Sequence, residues 1–414
     1  MLASLANAKT DKESATDEDS LSVNTWVAGP YLFDYGGWRD DFAQQTGITF
    51  IGNYYVDVLG NPTGGLSQKV RYSTLGSIGV SLDFATMLEE PALTGWGFTV
   101  LGYNAEGRNL ATDIGNAVNP STLFSGDVDI GLAHLYLSYE TDSFEAYAGR
   151  LTPEAYYAAS PLWDYFVSLA FNDNPWNLSA ADPNFSGFPG AVWMATGAWQ
   201  ATDQWQFSLG AANASKSTIT DSSKAGVDFD FDSAEGTLFM GEVEYSWKAA
   251  LFDETPLRGS IQIGGYYDTA AMPRLAPQPG ALTKDGVAAA WVILEQQLIP
   301  GDTPDGVGLT GWALASWTGP QSVASAPWFY SLGFVYEGLI PGRPDDALAV
   351  GGSVVYFSDQ LVGQNKETNI ELTYLVQVTE WFSIQPDLQI ILTPSGFHTI
   401  DNAVVVGVQC GVIF

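Results

Sequence analysis

Eight side chains have types and spacing suited to holding a polar guest without making or breaking a bond: Lys69, Arg71, Arg150, Glu154, Trp163, Asp164, Asn172 and Asp173. Those from Glu154 onward fall between Thr152 and Pro189, together with Tyr156-Tyr157, Tyr165-Phe166, Asn174 and Trp176. That stretch is too aromatic for an ordinary exposed connection. Aromatic faces cover C–H surfaces, while carboxylates, amides and cations exchange hydrogen bonds with hydroxyl groups. Covalent chemistry has no such support, because the chain carries no Gly-x-Ser-x-Gly, no zinc-spaced His and no phosphate-cradling Gly loop. Of its His134 and His398, only His134 is placed to partner a Ser, so no enzyme is expected. Asp228, Asp230 and Asp232 resemble a calcium loop superficially but lack its Gly and bidentate Glu. They read as a solvated outer loop; no cofactor is required, and surface calcium is the single one left open.

The elements that must position these residues are strands. From Lys69 to Phe84 the even positions read Val70, Tyr72, Thr74, Gly76, Ile78, Val80, Leu82 and Phe84, and the odd ones Lys69, Arg71, Ser73, Leu75, Ser77, Gly79, Ser81 and Asp83. One face suits lipid and the other water. The pattern recurs at 49–58, 239–247, 257–267, 328–337, 369–378 and 381–390, and about sixteen such stretches approach the length of a tilted membrane strand. The last is Val404 to Phe414, with Val404, Val406, Val408, Cys410, Val412 and Phe414 on one face. Between Leu132 and Leu135 the apolar phase slips by one, which predicts a bulge.

Composition agrees. No stretch approaches the roughly eighteen apolar residues of a membrane helix, whereas 44 Gly, 14 Trp, 19 Tyr and 22 Phe suit a sheet with aromatic girdles. The chain of 414 residues has no linker and reads as one closed barrel over 33–414, all-β and antiparallel. A net charge of -32 repels nucleic acid and attracts cations. With a lone Cys410 there is no internal disulfide. Residues 1–8 read as a signal-peptide remnant with Ala6-Asn-Ala8 as its cleavage site, and 9–32 as a periplasmic arm. Asp34 before a Gly-Gly-Trp-Arg run closed by Gly47 predicts a capped short helix that partly plugs the periplasmic mouth.

Short turns are expected near 141–142, 201–202, 300–305 and 379–380, and long loops near 106–126, 152–189, 214–235 and 270–285. The widest connection, between the fifth and sixth strands, is expected to fold inward.

Phe33-Asp-Tyr-Gly-Gly-Trp-Arg39, Gly47-Ile-Thr-Phe50 and Val58-Leu-Gly-Asn61 resemble the opening of OprB-type carbohydrate-selective porins, with Tyr35 where that family commonly has Trp. Tyr336-Glu-Gly-Leu-Ile-Pro-Gly-Arg-Pro-Asp-Asp346 is similar to its Gly-Leu-x-Pro-Gly-Arg-x-x-Asp turn. Glu371, Tyr374, Gln377, Trp381, Gln385, Pro386, Asp387 and Gln389 are similar to its penultimate hairpin. The resemblance, running with gaps over 33–414, implies a sixteen-stranded outer-membrane barrel passing small, glucose-like sugars. A general or cation-preferring porin and an adhesin-like surface barrel are the alternatives. The implied partners are small sugars, outer-membrane lipid and lipopolysaccharide, the barrel-assembly machinery and, as a homotrimer, further copies of the chain. The eight side chains named first would then form the constriction, with Trp163 presenting its ring to sugar. Arg343 and Asp345-Asp346 are read instead as fixing a turn.

Overall fold

The computed structural model describes residues 31–32, 34–123, 130–214, 226–227, 235–250, 255–301 and 306–414. The signal remnant, nearly all of the arm and the Asp228 to Asp232 segment lie outside the described residues. Sixteen strands form one sheet: β1 (Ile48–Thr63), β2 (Val70–Asp83), β3 (Trp96–Gly107), β4 (Ile130–Glu140), β5 (Phe144–Leu151), β6 (Val192–Gln200), β7 (Trp205–Asn213) and β8 (Thr237–Ala250) in its first half. The second half holds β9 (Pro256–Gln278), β10 (Ala281–Ile299), β11 (Leu309–Gly319), β12 (Trp328–Glu337), β13 (Ala347–Tyr356), β14 (Lys366–Thr379), β15 (Phe382–Leu392) and β16 (Ala403–Ile413). Each pairs antiparallel with its chain neighbours, and β16 returns to β1 with Val56 opposite Cys410 and Asp57 opposite Gln409, closing the barrel. Closure leaves no unpaired edge, which a sheet in hydrocarbon cannot carry.

Parity follows the sequence. On β2, Val70, Tyr72 and Ile78 point outward and are exposed, whereas Ser73, Leu75 and Ser77 are buried inside. Two aromatic belts circle the outside. Trp96 with Tyr139 and Trp205 with Tyr245 mark the end where β1 begins and β16 finishes, at ring separations of 4.9 and 4.7 Å. Trp328 and Tyr330, stacked at 6.0 Å, belong to the opposite, loop-bearing end. The expected bulge sits at Ala133: Leu101 faces His134 while Gly102 faces Leu132.

Three expectations are corrected. Residues 270–285 are not a loop: β9 and β10 run for 23 and 19 residues and meet in a hairpin turning at Gly280, φ 81°. Both exceed the roughly ten residues a tilted strand needs to cross, so the hairpin projects beyond the membrane. Connection length therefore does not alternate throughout, since the end where β1 begins carries 84–95, with the one-turn helix Phe84–Met87, and 338–346. Finally, the helix Trp38–Thr46, here α1, buries none of its residues. It is pinned by Arg39 N–H donating to Asp34 (3.1 Å) and by Gly47, left-handed at φ 70°, donating to Ala43 O (2.8 Å). Its Phe42 stacks at 5.6 Å on Phe50, which points outward from β1, so the helix rests against the outer wall and does not plug the mouth.

Candidate functional site

The β5–β6 connection, 152–191, crosses the barrel interior and brings many backbone N–H and C=O groups away from bulk water. Each needs a partner there. The inner wall supplies carboxylates and amides at inward parity. Glu371 on β14 accepts from the N–H groups of Val167 and Ser168 at 2.7 and 3.1 Å. Glu242 on β8 accepts from Ala158 N–H (2.9 Å) and Trp291 Nε1 (2.6 Å). Gln385 donates to Tyr165 O at 2.8 Å, and Tyr266 to Leu178 O at 2.8 Å.

The β3–β4 connection is fastened in the same way. Glu367 accepts from Ala117 and Val118 N–H at 2.8 and 3.1 Å, Gln389 donates to Pro120 O at 2.7 Å, and Ser121 donates to Asp57. The two connections also bond each other, Thr122 N–H to Val167 O and Leu169 N–H to Asn119 O, each at 3.0 Å. Leaving a buried backbone group without its partner costs about 1 to 3 kcal/mol, so these wall acceptors together hold a long connection in place.

Aromatic packing then fills one side of the interior. Phe166 meets Trp312 edge-on at 5.3 Å, Phe185 stacks on Tyr266 at 5.1 Å, and Tyr157, Leu162 and Phe171 are buried among them. Toward β1 to β4 the filling stops. A pocket remains there, bounded by Leu75 of β2, Thr122 and Leu123 of the β3–β4 connection, and Phe188, Trp163, Glu154, Asp164, Asn172 and Asp173 of the β5–β6 connection.

Five of the eight expected residues therefore meet at one place. Trp163 is only 4% exposed, so its ring is more wall than platform, and its Nε1–H has no hydrogen-bond partner among the described residues. Asn172 serves the loop itself, donating to Phe166 O at 2.5 Å. Glu154 and Asp173 converge on Gly187, where a Cβ would lie 1.9 Å from Glu154 Oε2 and 2.7 Å from Asp173 Oδ2. Only glycine leaves room for the two carboxyls. Burial, reinforced by the neighbouring Asp173, pushes the Glu154 carboxyl well above the usual carboxylate range; burial likewise raises Asp173. Asp173 also takes a left-handed backbone conformation, φ 109°, which costs a non-glycine residue about 1 to 3 kcal/mol.

The structure does not bring Lys69, Arg71 or Arg150 to the pocket. Arg71 forms a two-pronged ion pair with Asp113, at 2.7 and 2.9 Å, in the short helix Ala111–Ile114. That bond, ahead of all other causes, holds the Asp113 carboxyl below its ordinary value. Lys69 is exposed beside the same carboxylate. Arg150 shares the phase of the outward Phe144 yet is buried, at the end of β5; its Nε donates to Leu132 O at 3.4 Å. The anchoring roles of Glu242, Glu367 and Asp57 were missed, although inward-phase acids were the available signal. The turn pair is as expected, with Asp346 as the partner: Arg343 grips it at 2.9 and 2.7 Å, and Tyr374 and the Gln377 N–H join it.

A closed sixteen-stranded barrel with an internal loop and a polar pocket is the frame of a channel. The family profile of the carbohydrate-selective porins, OprB family, matches residues 67–414. The chain belongs to this family. It is 25% identical to Porin B of Pseudomonas aeruginosa, covering 96% of this chain and 93% of that protein. It is also 25% identical to the putative porin QuiX of Acinetobacter baylyi, over 54% of this chain and 55% of that one. Among solved structures, the high-pH structure of Pseudomonas putida OprB superposes with a TM-score of 0.82 at 21% identity, covering 94% of this chain and 99% of that one. That likeness concerns the fold. Like other OprB porins the chain is built as a channel rather than an enzyme, and the family is one of bacterial outer-membrane barrels.

Proposed function

We propose that this protein lets small, glucose-like sugars diffuse passively and selectively across a bacterial outer membrane, without a cofactor. The observation that carries the reading is the pocket between the β3–β4 and β5–β6 connections, placed inside a barrel whose outer face is made for lipid. Trp163 and Phe188 offer apolar surface to sugar C–H groups, while Glu154, Asp164 and Asp173 accept from hydroxyls. Such binding must stay weak. A dissociation constant near 1 mM, about -4 kcal/mol, biases entry and still allows exit. Lipid and lipopolysaccharide would meet the aromatic belts, the barrel-assembly machinery would insert the chain, and a homotrimer is the proposed assembly.

Swelling of proteoliposomes in isosmotic glucose tests the reading, together with glucose block of single-channel current in planar bilayers. Rates equal to those of protein-free vesicles would refute it. A second reading, a cation-preferring general porin, is favoured by the net charge of -32. It predicts reversal potentials with cation preference at low salt and no block by sugar.

A further inference from the structure

Toward its end the β5–β6 connection reads Asp182-Pro-Asn-Phe-Ser-Gly187. Oxygen-bearing side chains at the first, third and fifth places with Gly at the sixth are the opening half of a calcium loop. The twelfth place, where such a loop carries its closing Glu, is Trp193, so a second carboxylate must come from elsewhere. The fold supplies it from Asp268 of β9, opposite Leu238 at the loop-bearing end. The Asn184 amide donates to Asp268 Oδ2 at 2.7 Å, and the Asn184 backbone N–H to Asp182 Oδ1 at 2.9 Å, which sets this residue between the two carboxyls. All four side chains are buried, Ser186 being the most exposed at 6%. Two of their oxygens, Asn184 Oδ1 and Ser186 Oγ, have no hydrogen-bond partner among the described residues. We infer that Asp182, Asn184, Ser186 and Asp268 form a calcium site that clamps the β5–β6 connection to the wall at β9.

The physical reason is uncompensated charge. Two carboxyls buried on either side of one amide are costly unless positive charge neutralises them. Asn184 and the Ala270 N–H, which donates to Asp268 Oδ1 at 2.7 Å, supply hydrogen bonds but no such charge. Carboxylate, amide and hydroxyl oxygens together suit a hard cation. Magnesium sheds its water reluctantly, whereas calcium accepts a larger and less regular oxygen shell, so a dry site of this composition favours calcium. Its ligands would join residues 84 apart in the chain. The ion would fasten the loop and takes no part in the passage proposed above, so the inference stands apart from the sugar reading.

The test uses the full chain folded in detergent and stripped with EDTA, with calcium as the probe, magnesium as the control and about 0.1 M salt to screen the surface. Wild-type protein should bind calcium at a single site and unfold at a higher denaturant midpoint when it is saturated; magnesium at the same concentration should leave the midpoint unmoved. Asp268→Asn should weaken calcium binding at least about a hundredfold and abolish the shift. In EDTA it should unfold no earlier than wild type, because it removes one of two neighbouring acids. Asn184→Asp, which adds a third carboxylate, should tighten binding about tenfold; because this is a gain, misfolding cannot imitate it. Calcium bound equally by wild type and Asp268→Asn would belong to a surface of net charge -32 and overturns the inference, as does a wild-type chain that binds none or an Asn184→Asp chain that binds no tighter.

Discussion

The interior has two unlike halves. On the side of β8 to β14, Phe166, Phe171 and Trp312 bury one another, and the loop's N–H groups end on Glu242 and Glu371. On the side of β1 to β4, Trp163 Nε1 is buried without a hydrogen-bond partner among the described residues, the Glu154 and Asp173 carboxyls are buried together beside Gly187, and Asp173 holds a strained backbone. The first half is filled by aromatic packing around those anchors. The second stays open at the pocket, which is where a passing solute can gain an interaction.

The largest expected effect would fall on the packed half. Phe166 is fully buried, so Phe166→Ala should cost about 3 to 5 kcal/mol in denaturant unfolding. A loss below about 1 kcal/mol would mean that the aromatic cluster is not what secures the loop. Glu371→Ala, which strips two N–H groups of their shared acceptor, should cost about 3 kcal/mol and bring noisy open-channel current. Glu371→Gln should restore part of both, and quiet traces from the Ala variant would argue against anchoring.

On the boundary, Trp163→Ala should cost roughly 2 to 4 kcal/mol, raise conductance and weaken glucose block. Unchanged conductance and block would assign the ring wholly to the packed half. The pocket half should also show a pH signature. Burial raises both Glu154 and Asp173, so the folded chain keeps protons that the unfolded chain releases above about pH 4. Stability should therefore fall as pH rises past that point, and Glu154→Gln should flatten the slope of denaturation midpoint against pH. A parallel slope in the variant would exclude the pair as its source. The smallest effect is expected at Arg71: with its guanidinium on Asp113 at the loop end, Arg71→Ala should shift glucose block by less than about twofold. A large loss of block would bring that residue into the path and break the division drawn between the halves.

Much of the frame was legible in advance. The alternation at Val70 to Leu82 and at Val404 to Val412 set which face meets lipid, the phase slip near His134 marked the bulge, and the aromatic content of 152–189 singled out the loop. The errors were of another kind. Pro273, Pro277, Pro279 and Gly280 resemble a loop, yet β9 and β10 stay paired almost to their tip because each strand satisfies the other beyond the membrane. Arg150 was placed inside against its outward parity; it is buried at the strand end but does not line the pocket.

The sequence by itself determined the strands, their inward and outward faces, the closed barrel and the connection that would matter. Those properties rest on backbone geometry that repeats every two residues and is written locally. Only the tertiary structure decided which acids hold the loops and which are left to a solute. Glu371 meets Val167 across 204 residues and Gln409 meets Asp57 across 352. Whether an inward carboxylate finds a backbone N–H or open space depends on where a distant loop comes to rest, and no local periodicity encodes that distance.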